Sequence, residues 1–220
     1  MTTTITSFLI NDVEPASLKG SIGDVQDLFT QTSYSHIPVV ENGVFLGSLA
    51  EQDVHCFDAE DTIESHQYNL EPFLVRQDTH WLDILEAFAK ANTNIMPVLD
   101  SDNTYLGYYE LADIMNFFHS TPFLSESGSV VVVEKGLKDY SFSEIAQIVE
   151  SNDGKVLGAF ISKMENDIVE VSIKIGGVNF NEILQSFRRY NYNIQSQHQE
   201  DTYLIDLKER SKYLDKYLNI

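Results

Sequence analysis

The 220-residue chain is 43% hydrophobic and 22% charged and carries a net charge of −20, a composition that supports packed cores. No stretch reaches the ~18–20 apolar residues that cross a bilayer. The start, MTTTITSFLI, lacks the basic region of a signal peptide. The lone Cys56 leaves no intrachain disulfide and fits a reducing, cytoplasmic setting. Residues 1–125 hold three basic residues (Lys19, Arg76, Lys90) against nineteen acidic ones. That imbalance excludes nucleic acid and anionic membrane as expected partners.

The elements come twice. Ile22, Val25, Leu28 and Phe29 share one helical stripe, with Ser21 and Asp24 placed as a capping box. An apolar strand is predicted over Ile37–Val40, a polar turn over Glu41–Gly43, a second strand over Val44–Leu49 and a helix from Glu51. Residues 59–68 form a polar connector. The series then repeats: a helix through Leu82, Leu85, Phe88 and Ala89 capped by Asp78 or Thr79, a strand at Met96–Leu99, a turn at Asp100–Thr104, a strand at Tyr105–Tyr109 and a helix from Leu111. Pro38 falls on Pro97, Gly47 on Gly107 and Asp53 on Asp113, so the repeat fixes two similar α/β units that bury their sheets on one another. A proline inside the first strand forfeits a ladder hydrogen bond and is expected at a strand start or edge.

A small polar stretch, Ser125–Ser129, marks a boundary. Beyond it come a strand at Val130–Val133 and a helix over Ser141–Ser151 with a Ser141/Glu144 capping box. A strand at Val156–Met164, a tight turn at Asn166–Asp167 and an alternating strand at Ile168–Ile175 come next. A helix over Asn179–Tyr190 and a weaker strand over Asn193–Gln199 complete the series. This βαββαβ order is that of the ferredoxin-like split motif. An amphipathic tail runs from Leu207 to Leu218.

The repeated segments, HIPVVENGVFLGSLAEQDV from His36 and IMPVLDSDNTYLGYYELADI from Ile95, resemble the CBS-domain signature: a Pro-Val strand, a turn, a glycine-centred strand, and an aspartate six residues after the glycine. The resemblance implies an α+β chain: a CBS pair (Bateman module) with domains at 1–60 and 61–124, an ACT-like domain at 128–206 and a C-terminal helix at 207–220. The order is similar to the acetoin-utilisation-type regulatory proteins of bacteria. It further implies clefts between the copies that take an adenosyl compound such as AMP or S-adenosylmethionine, lined by His36, Ile37, Pro38, Ala50 and Asp53 and by Met96, Pro97, Glu110 and Asp113. In the family the aspartate holds the ribose hydroxyls and a Thr or Ser three residues earlier contacts ribose or phosphate. Here that place is taken by Ala50 and Glu110, which removes a hydroxyl twice and sets a negative charge where a phosphate would lie. A cationic ligand therefore suits the site better than ATP. The ACT-type turn Glu134–Ser141 has Gly136 and Asp139 but no Pro-Gly, leaving subunit contact or amino-acid sensing as its roles.

Six scattered histidines show no metal-ligand spacing, and no Gly-x-Ser-x-Gly, P-loop or Gly-x-Gly-x-x-Gly string occurs. The expectation is a non-enzymatic regulator without catalytic residues, resident cofactor or metal site, acting as a homodimer that signals to a regulated protein. The alternatives are an interaction module with unoccupied sites and a divalent-cation sensor.

Overall fold

The computed structural model describes residues 5–177 and 180–195, and the chain divides into two compact units, Met1–Phe118 and His119–Ile220. In the first, α1 (Ile22–Gln31) starts at Ser21, whose hydroxyl accepts from the Asp24 amide at 3.1 Å. That bond satisfies one of the free donors of the first turn. The helix buries Ile22, Val25 and Phe29 against an antiparallel hairpin, β1 (His36–Glu41) and β2 (Val44–Ala50). The hairpin turn uses Asn42 and Gly43 at positive φ, as a tight hairpin requires. A single helical turn, α2 (Glu51–Val54), comes after it, where the sequence predicts a helix from Glu51.

The second copy opens with a two-residue strand, β3 (Val75–Arg76), which has no sequence signal and pairs in parallel with β4 (Ile95–Leu99). Between them lies α3 (Trp81–Ala91). Its cap is not Asp78 or Thr79 but His80, whose Nδ1 accepts from the Leu82 amide at 3.3 Å. Asn92, left-handed at φ 49°, closes the helix. β5 (Tyr105–Glu110) pairs antiparallel with β4, and α4 (Leu111–His119) completes the copy. Both hairpins carry one extra residue in the second strand, Leu46 and Leu106, so the repeat extends to a matched bulge.

The segments leading into each copy cross to the other. Ile10 exchanges both backbone hydrogen bonds with Tyr108 of β5 (3.1 and 2.9 Å), and Glu71 does the same with Ser48 of β2 (both 2.9 Å). The first leader then returns to its own copy, where the Ala16 amide donates to the Pro38 carbonyl at 2.8 Å and the Val40 amide to Ala16 at 2.9 Å. β3 makes the corresponding return beside β4. Pro38 lies on β1, an edge of its two-stranded sheet, as expected, whereas Pro97 lies on β4, the middle strand of β3-β4-β5. Both are tolerated because each missing N–H faces the returning leader where its pairing only begins.

The crossing explains the signature glycines. Gly47 and Gly107 hold φ of 147° and 142°. A Cβ on Gly47 would sit 2.7 Å from Cβ of Leu70, and one on Gly107 would fall on the Ile10 carbonyl oxygen. Each glycine is the gap through which the other copy's leader passes.

The second unit opens with a short α5 (Pro122–Ser125) and then has a βαββαβ order: β6 (Ser129–Gly136), α6 (Phe142–Glu150), β7 (Lys155–Glu165), β8 (Ile168–Gly176), α7 (Phe180–Arg189) and β9 (Asn193–Ile194). Phe123 of α5 meets Phe160 of β7 edge-on. All neighbouring strands are antiparallel, in the order β7-β8-β6-β9. β8 alternates as the sequence predicts, with Val169, Val171, Ile173 and Ile175 buried in a core with Ile145, Val149, Ile183 and Phe187. Ser141 caps α6 by accepting from the Glu144 amide at 3.4 Å, but the box is only half made. The Glu144 carboxylate goes instead to Lys135 Nζ at 2.6 Å, and the Ser141 amide donates to the Tyr192 hydroxyl at 3.3 Å. The continuation of the last strand to Gln199 and the tail helix from Leu207 lie outside the described residues.

Gly107→Ala is expected to cost about 3 kcal/mol or more, and Gly43→Ala, open around its Cβ, only about 1 kcal/mol. Urea denaturation of the two variants checks the difference.

Candidate functional site

The two hairpins meet about a local pseudo-dyad marked by Ser35 and Asn94. The Ser35 amide donates to Asn94 Oδ1 at 2.8 Å and the Asn94 amide to Ser35 Oγ at 3.1 Å. Asn94 also donates through Nδ2 to the Ser33 carbonyl at 2.7 Å. The same relation recurs in the backbone, where Glu51 donates to Ser35 O and Leu111 to Asn94 O.

Strand register decides which expected site residues face the space between the copies. His36 pairs with Ala50 and Pro38 with Ser48, so these four share a face. By the same count Ile95, Pro97, Tyr108 and Glu110 share the corresponding face of the second copy. Ile37 and Met96 point the other way, Ile37 into the core under α1 and Met96 into the core under α3. They are therefore core residues, and the expectation that they line a cleft is corrected. Sequence reasoning missed Ser48, Tyr108 and Ile95, which the hairpin register alone could have supplied. It also missed Asp12, Glu71 and Phe73, which arrive through the crossing leaders, and Tyr34, which lies between α1 and β1; none has a local signal.

Two pseudo-equivalent side-chain groups result, one on each side of the dyad and each at the place where the family resemblance implies a cleft, with different contents. In the first, Tyr34 and Tyr108 meet edge-on with ring centroids 5.5 Å apart and hydroxyls 3.0 Å apart. The Tyr34 hydroxyl donates to Glu110 Oε1 at 2.6 Å, and the Tyr108 hydroxyl donates to the Asp12 carboxylate. Burial, reinforced by the Glu110 hydrogen bond, pushes the Tyr34 phenol up to about 12. Burial and the Asp12 bond push Tyr108 further in the same direction. Asp113 lies beside this group, its carboxyl raised by burial first and by the Glu110 charge second.

In the second cleft His36 is 6% exposed and Ser48 1%. The His36 ring meets Phe73 edge-on at 5.0 Å, and its Nδ1 lies 2.9 Å from Ser35 Oγ. Its Nε2 is 3.6 Å from a Glu71 carboxylate oxygen. Desolvation lowers the His36 pKa below its ordinary 6.5 against the opposing pull of Glu71 and Asp53, so the imidazole is neutral near pH 7. The Ser48 hydroxyl is buried without any hydrogen-bond partner, a state that costs about 1–3 kcal/mol unless a partner arrives. Ala50 and Asp53 complete this side. Among the described residues no group of three or more His, Cys, Asp or Glu side chains is placed to hold a metal ion, and no helix is long and apolar enough to cross a membrane.

Residues 7–60 and 68–120 each match the family model of the CBS domain. The first unit is a CBS domain pair. An uncharacterized protein of Methanocaldococcus jannaschii is 22% identical over 116 residues, 52% of this chain and 44% of that protein, so the match spans less than half of the relative's length. Among solved structures, a CBS domain pair/ACT domain protein from Thermotoga maritima aligns with TM-score 0.48 at 15% identity, over 52% of this chain and 95% of that one. CBSX2 in complex with AMP aligns with TM-score 0.45 at 16% identity, over 52% and 95%.

The second unit holds an open cavity of about 800 Å³ at the Glu134–Ser141 turn, lined among others by Glu134, Lys135, Lys138, Asp139 and Asn193. Lys135 lies 4.2 Å above the Tyr192 ring and holds the Glu144 carboxyl below the usual carboxylate range.

The lowered His36 pKa makes a signed prediction. The unfolded chain takes up a proton at His36 near pH 6.5 and the folded chain only at lower pH. Stability is therefore full above about 6.5, is lost as the pH falls below it, and levels off beneath the folded pKa. The stability difference between wild type and His36→Asn should narrow between pH 7 and 5 in denaturant titrations. Tyr34→Phe, which removes the donor to Glu110, should cost about 1–2 kcal/mol in the same assay.

Proposed function

We propose that the chain is a non-enzymatic cytoplasmic sensor whose CBS pair, residues 1–124, binds an adenosyl compound and signals to a regulated partner. The observation that carries this reading is the buried Ser48 hydroxyl, which lacks a partner, beside a neutral imidazole, the Phe73 ring and the Asp53 carboxylate. A hydroxyl of that kind gains a full hydrogen bond when a heteroaromatic ligand enters, and Phe73 with His36 offers ring surface. By the family resemblance Asp53 and Asp113 take the ribose hydroxyls, with Pro38, Ala50, Pro97 and Glu110 lining the approach. Glu71 and Asp53 set negative charge beside His36, and no ion pair with a Lys or Arg is made by either among the described residues. Two such charges work against a phosphate by ~0.5 kcal/mol each at ~8 Å in water. S-adenosylmethionine, or another adenosyl compound with a neutral or cationic 5′ group, therefore fits better than ATP, with AMP between them.

The ferredoxin-like order and the Glu134–Ser141 turn support an ACT-type domain over 128–206 as the output end, in the manner of acetoin-utilisation-type regulators, with homodimer contacts of the kind both domain types use. Ligand entry would bias the relation of the two CBS copies and thereby the partner-binding state.

Thermal-shift measurements with S-adenosylmethionine, AMP, ATP and the amino acids, each with and without Mg²⁺, test the reading. A ligand at 100 times its Kd should add about 2.7 kcal/mol of stability, and calorimetry should then show at least several-fold weakening in Asp53→Ala or Asp113→Ala. No shift with any compound would favour an interaction module with unoccupied sites.

A further inference from the structure

The two clefts are related by the pseudo-dyad but are filled differently, position by position. Tyr108 stands where the first copy has Ser48, Glu110 where it has Ala50, and Tyr34 where the second copy has Thr93. Large hydrogen-bonding side chains thus face small ones at these three places, while His36 and Phe73 stand where the other side has Ile95 and Asp12. Tyr108 is completely buried although it lies on the cleft face, and its hydroxyl donates to Asp12 and lies 3.0 Å from the Tyr34 hydroxyl. The group ends in carboxylates at Asp12 and Glu110, which take the protons of the two phenols. Opposite it, Ser48 has a buried hydroxyl with no bond at all, and Thr93 turns its hydroxyl back to the Ile95 carbonyl at 2.9 Å and to Ser35 at 3.1 Å.

We propose that the chain plugs one of its two clefts with its own Tyr34, Tyr108, Glu110 and Asp12 side chains, so that each chain takes a single ligand, in the cleft of His36, Ser48 and Phe73. The plug forces the asymmetry energetically. A ligand entering the first cleft must break three short oxygen–oxygen contacts and expose or re-pair two carboxylates. A ligand entering the second breaks none on Ser48 and satisfies an orphan. The plug also ties the first leader, through Asp12, to the second copy. Movement at the open cleft is thereby transmitted against a fixed strut rather than a second mobile site.

The identity of the occupant rests on the adenosyl reading above; the plug does not. Isothermal titration of the full chain with S-adenosylmethionine should give one site per chain, abolished or weakened at least several-fold by Asp53→Ala. The triple variant Tyr34→Thr/Tyr108→Ser/Glu110→Ala, which copies the small residues of the open cleft, should gain a second site. Two sites in the wild type would overturn the proposal. Should no adenosyl compound bind the wild type, the adenosyl reading fails, and a ligand-free measurement decides the plug. Tyr108→Ala leaves a phenol-sized void, so millimolar phenol should raise its Tm by several degrees and leave the wild type unmoved. No rise in the variant would show that the side chain does not fill a closed cleft.

Discussion

The crossing of each leader over the other copy's glycine is the constraint on which the rest of the first unit depends. Two hairpins of this size bury little surface alone. Joined by Ile10 on Tyr108 and Glu71 on Ser48, they become one body in which neither copy completes its sheet without the other. The glycines at 47 and 107 are there because backbone must pass where a side chain would stand. The same crossing delivers Asp12 to one cleft and Glu71 with Phe73 to the other, so fold and site share a single cause.

The chemical consequence is a division of labour within a repeat. The duplicated framework keeps its dyad in the backbone, in the matched bulges, the paired amides of Ser35 and Asn94, and the Glu51 and Leu111 contacts. The side chains at the cleft faces have diverged. One side has become a hydrogen-bonded aromatic pair anchored by carboxylates. The other holds a lowered histidine, a lone hydroxyl and a phenylalanine edge. Buried polar groups are costly when unsatisfied. The satisfied group reads as structure and the unsatisfied one as a place for a partner molecule.

Much of this was legible in the sequence because the signals are local. The helix stripes, the Ser21 and Ser141 caps, the Asn42–Gly43 and Asn166–Asp167 turns and the alternation of β8 each rest on a few neighbouring residues. The strand faces were harder. HIPVV and IMPVL are apolar on both sides, so no alternation separates Ile37 from His36 or Met96 from Pro97, and only hairpin register assigns them. Non-local features had no signal at all. β3 exists because β4 offers it an edge, and His80 displaces Asp78 and Thr79 as a cap through its own geometry. Tyr34 reaches Glu110 across 76 residues of chain.

The central claim is that an adenine-bearing ligand sits in the His36 cleft and not in its pseudo-equivalent. Photolabelling with 8-azidoadenosine, which carries no phosphate, followed by peptide mapping tests it most directly. Label on the segments holding His36 and Phe73, competed away by S-adenosylmethionine, is the predicted result. Competable label on the segments holding Tyr34 and Tyr108 would contradict the account.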